Sequence, residues 1–267
     1  MAETDDNNKK ENPVPEQKRE KREWWEIPAR SALLIVLIVI LLPGHWYRAA
    51  YIHTIGRLFP ETVESRLKDF GAKAEKRLAL KETPLKLRII VLKQEKKMEL
   101  WGMDKSDKWT QIGDYPILTI PEGTGPKLRK DEMKTPEGVY KFSELNPNSE
   151  YYLALKLNYP TVEDKQIAKK EGRNPSDLES DFLFHGMGYS KYNAAVTDRT
   201  LEDLFYILSK VALDNAEVLI VPMDFRKERF PEATQPEWLL KRYQIMRDKM
   251  EEMREKKGTE NAKKSDN

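Results

Sequence analysis

Residues 1–23 are polar and charged with no apolar repeat, which predicts a disordered tail extending over 1–26. The chain then turns apolar, and Ser31 to Leu42 reads SALLIVLIVILL. Twelve helical residues rise only about 18 Å, short of a hydrocarbon core of about 30 Å. Ile27 to Tyr47 gives 21 residues, with Arg30 able to snorkel at one end, and predicts a membrane-spanning helix over 27–47. Between Pro60 and Glu82, Val63, Leu67, Phe70 and Ala74 recur at spacings of four, three and four. That one-sided stripe predicts a helix within a stem over 48–84. It suits either packing on its own domain or a short coiled coil.

From Leu85 the period shortens towards two. Leu87 to Leu92 and Met98 to Trp101 flank the polar Gln94-Glu95-Lys96-Lys97, a hairpin pattern. Trp109 to Thr119, Tyr151 to Leu157, Asp181 to Phe184 and Val218 to Val221 are further predicted strands, separated by Pro, Gly and Asn clusters. Helical patterns cover Val162 to Lys170, which also suits a charged loop, and Leu201 to Leu213. Strands with inserted helices predict a β-rich α+β domain over 85–232, as a mixed sheet or sandwich. Near the C-terminus Leu239, Tyr243, Met246, Met250 and Met253 alternate at four and three, predicting a helix over 233–257 before a polar tail, 258–267. Its methionines suit plain packing or a partner site.

Charge orients the apolar segment. Lys18, Arg19, Lys21, Arg22 and Arg30 precede it, with Trp24 and Trp25; Trp46, Tyr47, Arg48 and Arg57 follow. The positive-inside rule then puts the N-terminus in the cytoplasm and the rest outside. A cleaved signal peptide would need a small residue where Arg48 precedes Ala49-Ala50, and a buried core helix would not carry such basic, Trp-rich flanks. The anchor is the favoured reading of the three.

Composition narrows the chemistry. The chain has 267 residues with 47 Lys and Arg against 45 Asp and Glu, a net charge of +2. That balance excludes a nucleic-acid binder working through bulk positive charge. It has no cysteine, so disulfides, thiolate metal sites and cysteine nucleophiles are excluded. Of its three histidines, His45 and His53 belong to the anchor region and only His185 to the domain, so neither a metal nor a cofactor is implied.

An ordered set of segments carries a resemblance. It includes Leu87-Arg88-Ile89-Ile90-Val91-Leu92-Lys93, Gly125-Pro126-Lys127-Leu128, Thr135-Pro136-Glu137-Gly138-Val139-Tyr140 and Asn146-Pro147-Asn148-Ser149-Glu150-Tyr151. Asn158-Tyr159-Pro160, Phe184-His185-Gly186 with Ser190, Ala195-Val196-Thr197-Asp198 and Trp238-Leu239-Leu240-Lys241 continue it. In this order the chain resembles the L,D-transpeptidase catalytic domain (the YkuD domain), and more closely its YafK-like branch. The resemblance implies a mixed β-sandwich enclosing a cleft outside a bacterial inner membrane, hence a periplasmic domain. It implies peptidoglycan stem peptides as substrate or partner, His185 as the base, and Gly186, Tyr192, Tyr159 and Lys127 at the cleft.

One departure decides the chemistry. After the histidine the family motif runs Ser-x-Gly-Cys, and its cysteine thiolate attacks an amide carbonyl. Here the same frame reads Ser190-Lys191-Tyr192-Asn193, so Asn193 stands at the nucleophile position and Tyr192 at the glycine. A second cysteine of the YafK-like branch falls on Gly188. A carboxamide is no nucleophile at neutral pH, and a tyrosine ring would fill part of the cleft. Three functions follow. The first is a pseudoenzyme that binds stem peptides or regulates a cell-envelope protein. The second is a structural module working through its helices. The third is an amide hydrolase or transpeptidase with a relocated nucleophile such as Ser190.

Overall fold

In the computed structural model of the chain, the described residues are 58–123, 125–230 and 235–264, with side chains described as far as Met253. The tail and anchor expected over 1–47 lie outside them. Among the described residues no helix is long and apolar enough to cross a membrane.

Helix α1 (Val63–Leu78) leads into strands β1 (Lys86–Leu92), β2 (Lys97–Met103), β3 (Trp109–Thr119), β4 (Gly138–Tyr140), β5 (Phe142–Asn146) and β6 (Ala154–Leu157). Then follow α2 (Val162–Lys170), β7 (Leu183–His185), β8 (Ala194–Val196), α3 (Asp198–Lys210), β9 (Ala216–Val221) and α4 (Glu237–Lys264). The strands form one mixed sheet in the order β4-β9-β1-β2-β3-β8-β7-β6-β5. Of the two expected arrangements, mixed sheet or sandwich, this is the mixed sheet. The 11-residue β3 is shared: Trp109 to Pro116 pair with β2, whereas Ile117 and Thr119 pair with β8 past an irregularity. A bulge bends a sheet without breaking it.

The two edges of that sheet are β4 and β5, and only Lys141 separates them in the chain. The sheet must therefore curl until its edges meet, and it is nearly a barrel. Asn158 fastens this seam. Its Oδ1 accepts the Lys141 N–H at 2.9 Å and its own N–H donates to the Lys141 carbonyl at 2.9 Å.

Side-chain alternation along β1 and β2 feeds two cores. Leu87, Ile89, Val91, Met98 and Leu100 point into the first, with Phe142, Leu155 and Phe184 from the other half of the sheet. Helices α1 and α3 cover it with Phe70, Ala74, Leu201, Leu204 and Phe205. The helix expected in a stem is thus packed on α3, and Arg77 pins it there through Glu202 at 2.8 Å and Asp203 at 2.6 Å. Ile90, Leu92, Trp101 and Met103 point the other way, into the second core beneath α4. There Leu239, Tyr243, Met246, Met250 and Met253 are all buried, so the methionine stripe is packing. The helical backbone of α4 continues to Lys264, into the expected polar tail.

One buried ion cluster locks the strand ends. Arg226 reaches Glu99 at 2.9 Å and Asp224 at 2.7 Å, and both carboxylates are buried. Burial pushes the Glu99 carboxyl up, but Arg226 and the Trp101 indole N–H prevail and hold it below its usual range. Replacing Arg226 with Ala strands two buried carboxylates. It is expected to cost about 3 kcal/mol in chemical denaturation; a loss under about 1 kcal/mol would place the cluster among weak surface pairs.

Candidate functional site

His185 closes β7, paired with Ala154 of β6 on one side and Ala195 of β8 on the other. It is 2% exposed. The Tyr151 ring covers it, with centroids 4.5 Å apart. Its Nδ1 lies 2.8 Å from the Gly186 carbonyl. A carbonyl only accepts, so Nδ1 carries the hydrogen and Nε2 bears the lone pair of the neutral ring. Burial lowers the pKa, and the Gly186 carbonyl offsets part of that effect. His185 is therefore a neutral base or acceptor at neutral pH.

The glycine after it is required. A Cβ on Gly186 would collide with the Asp198 carboxylate and the Tyr151 carbonyl. Instead its N–H donates to the Tyr151 carbonyl at 3.0 Å, and the Met187 N–H reaches Asp198 Oδ1 at 3.2 Å. Thr197 caps α3 by accepting the Thr200 N–H. This cap fixes Asp198 beside the loop.

The 186–193 loop is tied down at both ends. The Ser190 N–H donates to Thr119 Oγ1 at 3.1 Å, and Ser190 Oγ accepts the Asn193 N–H at 2.9 Å. Asn193 Oδ1 accepts the N–H of Leu183, the first residue of β7, at 3.0 Å. The Asn193 side chain is thus a structural cap. Ser190 Oγ serves the turn, and neither it nor His185 Nδ1 bonds the other. Gly188 is left-handed, at φ +72°. Tyr192 is exposed, with the Lys191 ammonium 5.2 Å from its ring.

Lys127 and Tyr159 are brought to each other and not bonded to His185. The Tyr159 hydroxyl donates to the Lys127 carbonyl at 3.0 Å, and the Lys127 ammonium donates to the Lys130 and Glu132 carbonyls at 2.8 and 3.0 Å. Both are buried loop braces. Asp164 is the capping-box residue of α2 and also holds Arg242 at 2.8 Å. Cavities of about 470 to 770 Å³ open elsewhere, and none of these is lined by His185. Among the described residues no group of three acidic, His or Cys side chains could hold a metal ion.

Sequence reasoning missed Tyr151 as a site residue, because it lay in an expected strand. Its turn is gripped from the chain's entry instead. Asn148 Oδ1 accepts the Glu61 N–H at 2.9 Å, and Asn148 Nδ2 donates to the Glu61 carbonyl at 2.8 Å. Arg66 on α1 stands 4.9 Å from the Tyr152 ring. The Asn146-Pro147-Asn148 composition signalled a turn, but the partner 87 residues away left no local trace.

Two outcomes follow. An unfolded histidine protonates near pH 6.5 and folded His185 below that, so between the two values the unfolded chain binds more protons. The contribution of His185 to stability is then full above about pH 6.5 and falls as pH drops through the folded value. Denaturation midpoints of the parent should fall between about pH 7.5 and pH 5.5 by more than those of His185→Gln; parallel profiles would contradict it. Asn193→Ala should cost about 1 kcal/mol by orphaning the Leu183 N–H, while Asn193→Asp, which keeps the oxygen, should cost less.

No protein-family model matches the chain. It is 26% identical over 123 residues to YafK of Escherichia coli K12, named as a candidate L,D-transpeptidase, and equally to that of strain O157:H7. The match covers 45% of this chain and 46% of each relative, so the chain spans about half the length of the curated relatives it matches. Among solved structures, Bd1075 of Bdellovibrio bacteriovorus is 23% identical with a TM-score of 0.37, covering 52% of this chain and 48% of that one. The helical cell shape determining protein Pgp2 of Campylobacter jejuni is 17% identical with a TM-score of 0.41, covering 57% and 56%. These structural overlaps are too slight to define the fold, which rests on the strand order above. In sequence, the chain is similar to an L,D-transpeptidase of the YafK kind over just under half its length.

Proposed function

We propose that the chain is an L,D-transpeptidase-like cell-envelope protein that binds peptidoglycan and performs no cysteine chemistry. The observation that carries this is Asn193. It stands where the family motif puts its nucleophile, and its carboxamide is spent on the Leu183 N–H. The similarity to YafK supports the peptidoglycan connection. The apolar segment 27–47, with its basic flank, supports a single-pass anchor that leaves the domain outside the inner membrane. His185 remains as a buried, hydrogen-bonded group beneath the Tyr151 ring.

The rival readings are less well supported. A module working through its helices needs a free apolar face, yet the stripes of α1 and α4 are buried in the two cores. Relocated catalysis by Ser190 needs its hydroxyl on the histidine, yet the hydrogen bond of the His185 ring goes to the Gly186 carbonyl and Ser190 is placed by the Asn193 and Thr119 contacts.

The test is to incubate the full chain with purified peptidoglycan and with diaminopimelate-containing stem peptides, reading co-sedimentation and products by mass spectrometry. Retention on peptidoglycan without new products is the expected result. New cross-links or released peptides that vanish in Ser190→Ala would overturn it in favour of relocated catalysis. The absence of both retention and products would refute the peptidoglycan reading.

A further inference from the structure

Eleven large apolar side chains stand exposed among the described residues, and five of them gather around the loop after His185: Leu118, Tyr151, Met187, Tyr189 and Tyr192. They are neighbours. Tyr151 lies on the His185 ring, a Cβ on Gly188 would sit 3.8 Å from Leu118 Cδ1, and the Ser190 N–H is held by Thr119. Tyr189 is 74% exposed and Tyr192 42%. Between Gly186 and Asn193 the only charged side chain is Lys191, whose ammonium stands beside the Tyr192 ring. An exposed aromatic patch at the mouth of a site marks a contact surface.

The fold limits what that surface can hold. An extended peptide binds by adding to a free strand edge and placing side chains in pockets. Here β8 lies between β3 and β7, and β7 between β8 and β6, so both strands at the site have both edges paired. The Leu183 N–H at the start of β7 is taken by Asn193. None of the cavities described above opens at the loop. What the loop offers is two exposed rings with hydroxyl tips and an ammonium between them in sequence. A pyranose ring matches this, because its axial C–H groups make an apolar face and its hydroxyl and acetamido groups make a polar rim. Tyrosine supplies large amphipathic contact area with few rotamers to freeze.

We propose that Tyr189 and Tyr192, with Lys191, form a platform for the sugar rings of a glycan strand of N-acetylated hexosamines. The proposal rests on the peptidoglycan reading and deepens it: the chain holds the wall by its glycan, beside a site that no longer works on the peptide.

The probe is the tetramer of N-acetylglucosamine, added to the full chain in detergent micelles. Saturation-transfer NMR reads contact, and calorimetry reads affinity. Binding is expected, with saturation transfer onto the axial ring protons. Tyr189→Ala and Tyr192→Ala should each weaken it about tenfold. Tyr189→Phe, which keeps the ring, should stay within about threefold of the parent. Both positions are exposed, so the variants are expected to fold, with the circular dichroism of the parent as the check. Absence of binding, or binding unchanged in both Ala variants, would overturn the platform. Binding of a stem peptide without the tetrasaccharide would overturn it and leave the peptidoglycan reading standing. If neither sugar, peptide nor whole peptidoglycan binds, both fall.

Discussion

The single residue between β4 and β5 governs this structure. Lys141 is the whole connection between the two edges of the sheet, so those edges cannot part by more than the chain spans there. An open sheet of this strand order would need a long crossover at that point. With one residue available, the sheet curls, its inner face becomes a closed core, and both edges are protected from pairing with other chains. The bend falls where β3 passes from β2 to β8, and that puts the short strands β7 and β8 in the curved wall. His185 and the loop after it inherit their positions from this curvature.

Within that wall, the loop reads as a locked element. Its backbone is held by Thr119, Asp198, Ser190 and Asn193, and each of these bonds would cost free energy to break. The histidine is equally fixed, by the Gly186 carbonyl below and the Tyr151 ring above. The Tyr151 turn is fixed in turn by Asn148 on Glu61. A continuous chain of contacts thus runs from the point where the polypeptide enters the domain to the candidate site.

Much of the fold was legible in the sequence. Strand β3 and helix α2 have the predicted bounds, because an alternating run and a Thr161 capping box are local signals. The stripe of α4 was legible as a helix; that it packs on β1, β2 and β9 was not, since periodicity names a face and not its partner. Strands β4, β5 and β8 escaped because two are three residues long and the third, β5, is a short edge strand paired only with β6. Tyr151 to Leu153 belong to a turn and not a strand, with Tyr152 at φ +78°, a conformation imposed by tertiary contacts. At the site, the ordered motif marked His185 and Asn193, and the structure sets Asn193 against Leu183, at the start of the strand that His185 ends. It also marked Lys127 and Tyr159, which the structure shows bonded to each other and bracing a loop.

The buried methionine stripe has a consequence for the chain's response to oxidants. With no thiol in the sequence, its reactive sulfur is all thioether. Met98, Met246, Met250 and Met253 are sealed inside, while Met133 and Met187 stand 55% and 39% exposed. An oxidant meets the outer pair first, and a sulfoxide on Met187 adds a polar group to the loop after His185 without disturbing either core. The sulfurs under α4 become reachable only when that helix lifts from the sheet. Sulfoxide at Met246 or Met250 is therefore a chemical record that the second core has opened, and once formed it hinders α4 from settling back.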